Sequence, residues 1–419
     1  MVVADLNRER LILNDGRHDD MIRLGRVSAC QEGPAMIIDS HMYCFEPLDE
    51  PGGHASGQER LRWAQRGHGQ HHQPAWRVRD RAPAPSHVIS PPDPSRPEAL
   101  PDVNFRVDHD CGRVVWTIDG EDYTKQFLPP GLNHTRFTAH GAIAEMDYAG
   151  VDLALLHTDP MLGRDSAFLG RCVQQYPDRL RSMAPVDEWR IPDETEAVIE
   201  ELATAINVHG LHAIKFIPPL VSPAHTEPWD DGPYRPFWQF ATSLDVPVFF
   251  TLGTGPRELM IEASEAEHRE GYLAEQKTLM RWMERYPDTA CSLTHGFPWR
   301  LYVEGERLTV PDAIWEPFQN PNCNMEVSFP VRIGDLFDYP YRQVWFVLEQ
   351  MIEHIGADHL LWGTDMPFQN RFCTYRQSRQ WIEQYCEFLT PQDLTWLMGA
   401  TAGRILGIKS RSSNADRSP

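Results

Sequence analysis

Eight short apolar runs, separated by longer amphipathic stretches, constrain most strongly how this chain of 419 residues can fold. Most of the runs are almost continuously apolar, which is typical of parallel strands that are buried on both faces. We therefore interpret them as the strands of one parallel sheet. The runs are Met36–Ser40, Val151–Thr158, Leu180–Val186, Leu211–Ile217, Val246–Leu252, Ala290–Thr294, Cys323–Ser328 and His359–Thr364.

Helical patterns lie between these runs and after the last of them. Strands that alternate with helices indicate repeated crossover units, and eight such units close into a barrel. The sequence therefore predicts an α/β fold, a (β/α)8 TIM barrel. The predicted helices include Phe137–Ala149, Glu194–Val208, Leu273–Tyr286, Tyr341–Ile355, Tyr375–Phe388 and Pro391–Leu406.

The alternation of predicted strands and helices also indicates the domain boundaries. We expect an N-terminal extension over residues 1–34, a barrel domain over 35–408 and a disordered tail over 409–419. A long insertion, residues 47–136, separates the first strand from its helix.

Two parts of this insertion have distinct patterns. Arg113–Tyr123 is typical of a β-hairpin that turns at Asp119-Gly120. Gly67–Leu100 is rich in proline, arginine and histidine, and for this stretch we favour a disordered surface loop over a lid.

The amino-acid composition restricts the class of molecule that this protein is expected to bind. The formal net charge of −21 repels phosphate backbones and anionic lipids, so nucleic acids and membranes are poor partners and a small molecule is expected. No stretch of 18 apolar residues and no secretory signal pattern is visible. The eight cysteines are scattered without zinc-site spacing, which is typical of reduced thiols and predicts a cytoplasmic location.

Ionisable residues follow nearly every predicted strand. In this architecture, the carboxyl ends of the strands build the active site. A single histidine after an apolar run is usually structural, but several at one end of a barrel indicate a functional site. These strand-end residues are Asp39, His41, Tyr43, His157, Asp159, Asp187, Lys215, Thr251, His295, Glu326, Ser328 and Asp365.

The motifs that contain several of these residues resemble a known family. The chain resembles the amidohydrolase-related proteins, which include aminocarboxymuconate-semialdehyde decarboxylase, γ-resorcylate decarboxylase and several lactone and ester hydrolases. The resemblance covers Ile37–His41 and Phe137–Ile408. Each matching segment is weak alone, but their combination is specific. The segments are IIDSH at Ile37–His41, AEMDYAGVDLALL at Ala144–Leu156, YPDRL at Tyr176–Leu180, IKF at Ile214–Phe216, LTHGFP at Leu293–Pro298, IGADHLLWGTDMPF at Ile355–Phe368 and LMGATAGRILGI at Leu397–Ile408.

The resemblance implies a site for one divalent metal, Zn or Mn, and a possible homodimer. The family's ligands are a His-x-His pair after the first strand, a histidine after the fifth and an aspartate after the eighth. His41 and Asp365 match two of these ligands, and Thr251 stands where the histidine of the fifth strand would be. The pair is Glu-x-His in some members, and His41 matches its first residue, with Tyr43 in place of the second, or its second residue, with Asp39 in place of the first; the former fits the preceding IID better. His295 matches the histidine that acts as an acid or base.

Two matching ligands are too few to hold a divalent ion tightly. A third ligand is available from Asp39, Glu46, His157 or Glu326, and the sequence does not choose among them. The departures from the family pattern favour a metal-free or atypical site.

The residues that remain suit acid/base chemistry. We expect Asp365 to act as a general base or to orient His295, and His295 to shuttle a proton near neutral pH. Tyr43 or Lys215 would stabilise a developing oxyanion.

Three further residues are candidates for substrate binding. We expect Arg300 to bind a carboxylate, because its fork of donors matches carboxylate geometry. Trp299 would either stack on a substrate ring or pack at the rim of the barrel, and Thr251 would line the pocket from the fifth strand.

Three functions are consistent with these residues. The first is a hydrolase that opens an ester, lactone, amide or C–C bond in a small carboxylated or aromatic compound. The second is a non-oxidative decarboxylase of an aromatic or unsaturated acid, which in this family is metal-dependent. The third is a barrel that binds a ligand without turning it over, although such a barrel has no need of His41, His295 and Asp365.

Overall fold

A computed structural model describes residues 36–408, apart from 86, 94, 95, 97, 98, 222–226 and 255–262. The predicted N-terminal extension, 1–34, and the predicted tail, 409–419, lie outside the described residues. Within the described part of the chain, no helix is long and apolar enough to cross a membrane.

Eight parallel strands form a single sheet in the order of the chain, which confirms the predicted (β/α)8 barrel. Each strand overlaps one of the predicted apolar runs, and nearly all strand residues are buried, as the two-sided burial of a parallel sheet requires. The strands are Ile38–Met42, Leu153–Leu156, Leu180–Ala184, Ala213–Phe216, Val248–Phe250, Cys291–Leu293, Cys323–Val327 and Leu360–Trp362.

Polar contacts join the first strand to the eighth and bring the barrel close to closure. The Asp365 backbone N–H donates to the His41 carbonyl at 2.8 Å. The buried Asp39 carboxylate accepts from the hydroxyls of Thr364 at 2.6 Å and Tyr375 at 2.7 Å. The residues that follow these two strands are therefore neighbours, although more than 300 positions separate them in the chain.

Helices surround the sheet at the predicted places, with one difference. The helix predicted over Pro391–Leu406 is interrupted by a π-helical turn, Trp396–Ala400. A Cβ on Gly399 would lie 2.0 Å from the Met36 carbonyl oxygen, so this turn passes directly against the start of the first strand. The longer helices are Gly57–Gln70, Ala139–Ala149, Ser166–Gln175, Ile191–Asn207, Arg235–Ser243, Glu265–Arg285, Arg342–Ile355 and Tyr375–Tyr385, and the shorter ones are Phe329–Ile333, Pro391–Thr395 and Thr401–Ile405.

The insertion folds into one helix and a five-stranded antiparallel sheet. Its predicted hairpin is confirmed, because Arg113–Ile118 pairs with Glu121–Lys125 through a turn in which Asp119 and Gly120 both have positive φ. The strands, in sheet order, are Pro83–Ala84, Ala75–Arg77, Glu121–Lys125, Arg113–Ile118 and Arg106–Asp108.

The expectation of a disordered loop over Gly67–Leu100 is wrong for the residues that the structure describes. The strand Ala75–Arg77 pairs with the hairpin, and the helix Gly57–Gln70 packs its buried His68 against it. Polar side chains of this stretch have partners within the insertion, since His68 Nδ1 lies 2.7 Å from the Ala64 carbonyl oxygen and Arg77 donates to Asp80 at 2.7 Å. Hydrogen bonding within the insertion therefore replaces the hydration that the composition suggested.

Candidate active site

His41 stands at the centre of a polar cluster at the carboxyl ends of the strands. Its imidazole is fully buried, and its Nδ1 lies 2.9 Å from Oε2 of Glu326, at the end of the seventh strand. Its Nε2 lies 3.0 Å from the Tyr43 hydroxyl and 3.2 Å from Oδ1 of Asp365. The first, seventh and eighth strands thus meet through a single side chain.

His295 completes the cluster from the sixth strand. The centroid of its ring lies 4.6 Å from that of His41, and its Nδ1 lies 3.3 Å from the Ser328 hydroxyl. His295 and Asp365 both have left-handed backbone conformations, with φ of 64° and 62°. Residues other than glycine rarely adopt this backbone conformation, and residues strained in this way cluster at functional sites.

The cluster has an open edge and a closed interior. The side chains of His295 and Asp365 are 14% and 13% exposed, whereas those of His41 and Glu326 are 0% and 1% exposed. The two residues that the sequence nominates for acid/base chemistry are therefore the ones that a ligand entering the barrel mouth can touch.

Charge within the cluster sets the protonation of the two histidines. Burial lowers the pKa of His41, but attraction to the carboxylates of Glu326 and Asp365 outweighs burial and raises this pKa to about 9. Burial, followed by repulsion from His41, holds the pKa of His295 well below its usual value. At neutral pH the cluster thus contains a protonated His41 between two carboxylates, with a neutral His295 beside it.

Lys215 lies behind this cluster and contacts it through His157. The ring of His157 stacks on His41 with 3.6 Å between centroids, and its Nδ1 lies 3.2 Å from Lys215 Nζ. Lys215 also donates to the Thr294 hydroxyl at 3.0 Å, and burial lowers its pKa to about 8. Lys215 thus contacts the cluster through His157, while Thr294 accepts from its ammonium group.

A small polar cavity adjoins Lys215. Asp159, Arg164 and Glu188 line it together with apolar residues of the second, third and fourth strand ends. Glu188 accepts from the Ile217 N–H at 2.7 Å through one oxygen, and its other oxygen has no partner among the described residues. Burial raises the pKa of Glu188 to about 8, against the attraction of Arg164 and Lys215.

The structure gives two of the three substrate-binding candidates, Arg300 and Trp299, surroundings different from those expected. Arg300 forms an ion pair with Asp335 at 2.7 Å, so its charge is already neutralised. Trp299 is 1% exposed, and its indole N–H donates to the His295 carbonyl at 2.8 Å, which leaves almost no ring surface for a substrate. Thr251 lies at the end of the fifth strand, where its N–H donates to the Phe216 carbonyl.

Glu326 has a more central place than sequence reasoning gave it. The sequence predicts it as a strand-end residue and as one of four possible third ligands, yet it holds His41 through both carboxylate oxygens. The available signal is a carboxylate inside the apolar run CNMEVS, since burying such a group requires a partner. Gly363 makes room for it, because a Cβ there would lie 2.7 Å from the Glu326 carboxyl carbon.

Metal-ligand atoms also come together in the cluster. One such atom from each of His41, His295 and Asp365 lies within 4.8 Å of the other two, and His41, His157 and Glu326 form a second group of this kind. Two histidines and a carboxylate are a suitable set for one divalent ion, and Glu326 stands behind His41 as carboxylates stand behind metal-bound imidazoles.

This donor set fits a metal but is not the family's usual one, because His295 takes part while Tyr43 and Thr251 replace histidines. Of the other proposed third ligands, Asp39 is used in closing the barrel, and neither Asp39 nor Glu46 belongs to a donor group among the described residues. The expectation of a metal-free or atypical site stays a prediction.

Solved structures of two decarboxylases and of a probable hydrolase are similar to this chain. The 5-carboxyvanillate decarboxylase of Sphingomonas paucimobilis is similar with a TM-score of 0.51 and 16% identity, over 90% of this chain and 100% of that one. The 2,6-dihydroxybenzoate decarboxylase of Rhizobium gives 0.47 and 19%, over 64% and 87%. A probable 2-pyrone-4,6-dicarboxylic acid hydrolase of Acinetobacter baumannii gives 0.48 and 15%, over 65% and 90%.

Sequence comparison assigns the family. No curated protein matches the chain. Residues 123–408, more than half of the sequence, match the model of the amidohydrolase family. This match includes every strand of the barrel except the first, and with it His295, Glu326 and Asp365. The chain belongs to the amidohydrolase family.

Proposed function

We propose that this protein is a hydrolase that opens an ester, lactone, amide or C–C bond in a small carboxylated or aromatic compound. The observation that carries the proposal is the placement of His295 and Asp365 at the open edge of a cluster whose other members are buried. A proton acceptor and a proton shuttle side by side at a barrel mouth are the parts that hydrolysis requires.

Asp365 is the proposed base that activates water. In the ester case, Asp365 removes a proton from a water molecule as the water oxygen bonds to the substrate carbonyl carbon. The tetrahedral intermediate then expels the alcohol oxygen, and Asp365 passes its proton through the neighbouring His295 to this leaving group. The products are a carboxylic acid and an alcohol, so atoms and charge balance.

The buried members of the cluster support this step by orientation. Glu326 fixes the ring of His41 through Nδ1, and the ring in turn lies against Asp365 and the Tyr43 hydroxyl. Tyr43 is the group that would donate to the oxyanion, because burial and the nearby Asp365 carboxylate raise the pKa of its phenol and keep it protonated. Lys215 contributes indirectly, through His157.

Metal binding would use His41, His295 and Asp365. A divalent ion held there would polarise the substrate carbonyl or lower the pKa of a bound water. The steps above require only the side chains of the chain itself.

The homodimer and the cytoplasmic location predicted from the sequence stay predictions.

Non-oxidative decarboxylation is the second candidate. It requires a proton donor beside the carbon that loses CO2, and His41, which is held between two carboxylates, is such a donor. Because His41 is buried, the carbon would have to approach through the edge formed by His295 and Asp365.

A substrate screen separates the two reactions. Lactones, esters and amides that carry a carboxylate are assayed for acid release, and carboxylated phenols for CO2 release. We expect acid release, and we expect Asp365→Asn to lower kcat by about 100- to 10,000-fold, the usual contribution of a positioned base. CO2 release without acid release would overturn the hydrolase proposal.

The control for this screen is Asp358→Asn. Asp358 precedes the same strand at the opposite end of the barrel, and its side chain is 53% exposed. The substitution makes the same chemical change, so it should leave kcat within about twofold of the wild-type value. An equal loss in both variants would point to a general effect of the lost charge.

A further inference from the structure

The turn that follows the eighth strand presents an arginine to the barrel mouth. Phe368–Arg371 is a 3-10 turn whose first N–H donates to the Asp365 carbonyl at 2.7 Å. The Arg371 Nε–H donates to the Phe368 carbonyl at 3.0 Å. The guanidinium is therefore fixed to the same short segment that carries the proposed base.

Aromatic rings enclose this guanidinium. Its central carbon lies 4.9 Å from the ring centroid of Phe372, 5.9 Å from that of Phe368 and 5.5 Å from that of Phe127, which belongs to the insertion. Burial lowers the pKa of Arg371 to about 10, so the group is still charged at neutral pH. Low-polarity surroundings strengthen the attraction of such a cation for an anion.

The charge of Arg371 lacks a close counter-ion. None of the ion pairs among the described residues involves Arg371, and its buried Nη1 has no hydrogen-bond partner there. Asp365 and Asp335 attract it only from a longer distance. The contrast with Arg300, paired to Asp335 at 2.7 Å, identifies Arg371 as the better candidate for a ligand carboxylate.

A second unused polar group lies in the same turn. The Gln369 side chain is 0% exposed, and neither its Oε1 nor its Nε2 has a partner in the described part of the chain. Buried amides are normally hydrogen-bonded, because an unpaired one costs about 1–3 kcal/mol. The turn thus retains unused donors at two of its four residues.

The turn lies one aromatic ring away from the reacting groups. The ring centroid of Phe368 lies 5.9 Å from the Arg371 guanidinium carbon and 5.8 Å from the ring centroid of Tyr43. The Tyr43 hydroxyl in turn lies 3.0 Å from His41 Nε2. A small molecule bound at Arg371 therefore has its other end within reach of the cluster.

We propose that Arg371 and Gln369 form a subsite for the carboxylate of a small aromatic or unsaturated acid. This inference rests on the proposed function and deepens it, since it assigns the acid group of the substrate to the turn after the eighth strand and the susceptible bond to Asp365 and His295. Phe127 and Phe368 provide apolar walls beside the substrate ring. Arg371 thus takes the role of binding the substrate carboxylate, which the sequence predicts for Arg300.

Binding of two simple probes, benzoate and its uncharged analogue benzamide, tests the subsite by NMR titration. We expect the wild type to bind benzoate at least 10-fold more tightly than benzamide, and Arg371→Met to lose this preference. Methionine preserves the packing against the rings, and Arg371→Lys, which keeps the charge but not the fork, should retain part of the preference.

The matched control is Arg171→Met. Arg171 also lies over a phenylalanine, Phe168, but on an outer helix with its side chain 61% exposed. This variant should bind both probes like the wild type. Unchanged benzoate binding by a folded Arg371→Met variant would overturn the subsite, and so would a wild type that does not discriminate between the probes.

These titrations need no turnover, so they separate the two proposals. Benzoate preference without any hydrolysis would contradict the proposed function alone. Hydrolysis without benzoate preference would contradict the subsite alone.

Discussion

Replacing Glu188 with glutamine should change how the stability of this protein depends on pH. Burial raises the pKa of the Glu188 carboxyl from 4.5 to about 8 in the folded protein. The unfolded chain releases this proton near pH 4.5, while the folded chain keeps it until about pH 8. The stabilising contribution is therefore complete below pH 4.5 and is lost as the pH rises to about 8.

The structure sets the size of the effect. A pKa difference between 4.5 and about 8 corresponds to at most about 5 kcal/mol of unfolding free energy, and water entering the adjacent cavity would reduce it. Glutamine has no proton to lose, and its side-chain oxygen can still accept from the Ile217 N–H. The wild type should therefore lose several kcal/mol relative to Glu188→Gln between pH 5 and pH 9.

Urea unfolding followed by circular dichroism at several pH values measures this difference. Glu200→Gln is the control, because Glu200 is exposed on the helix Ile191–Asn207 and its replacement should shift the unfolding free energy by about 0.5 kcal/mol or less at every pH. A Glu188→Gln variant whose stability stays parallel to the wild type from pH 5 to pH 9 would refute the reasoning.

Three further predictions concern the site and its surroundings. Trp299→Phe removes the donor to the His295 carbonyl but keeps the packing, so kcat should fall about 10-fold and the free energy of unfolding by about 1 kcal/mol. The distant Trp238→Phe loses a similar bond to Trp229 and should lower the free energy of unfolding equally without lowering kcat. Gln369→Leu should raise the unfolding free energy by about 1 kcal/mol and weaken benzoate binding, and a destabilised variant would show that the amide has partners after all. Purified protein should hold well under one equivalent of Zn or Mn by elemental analysis and keep its activity in EDTA, whereas one tightly held equivalent would overturn the metal-free interpretation.

The barrel could be predicted from the sequence because each strand is a separate apolar run. Continuous burial on both faces leaves a local signal, and chain order fixes which strands are neighbours. The same logic predicts that His41, His295 and Asp365 lie at one end of the barrel, and in the structure these three side chains are neighbours.

Other features depend on partners that no local pattern specifies. Arg300 and Arg371 are equally plausible in the sequence, and only the position of Asp335 shows that one is neutralised and the other is not. Trp299 stands beside His295 in the chain, yet its ring turns into the core to hold the backbone of that histidine. A side chain's direction at a strand end depends on its neighbours from other strands.

The insertion shows the limit of composition most clearly. The polar residues of Gly67–Leu100 suggested a solvated loop, but His68 is fully buried with its Nδ1 2.7 Å from the Ala64 carbonyl oxygen, and Ala75–Arg77 pairs with the hairpin. Composition counts polar groups without showing whether they find partners inside the fold.

Hydrolysis in water enriched in oxygen-18 examines the bond that the proposed reaction forms. Mass spectrometry of the product of an active ester or lactone should show one heavy oxygen in the new carboxylate, and Asp365→Asn should suppress its appearance by at least 100-fold. A product that has lost CO2 and gained no heavy oxygen would contradict the assignment of Asp365 as the base that activates water.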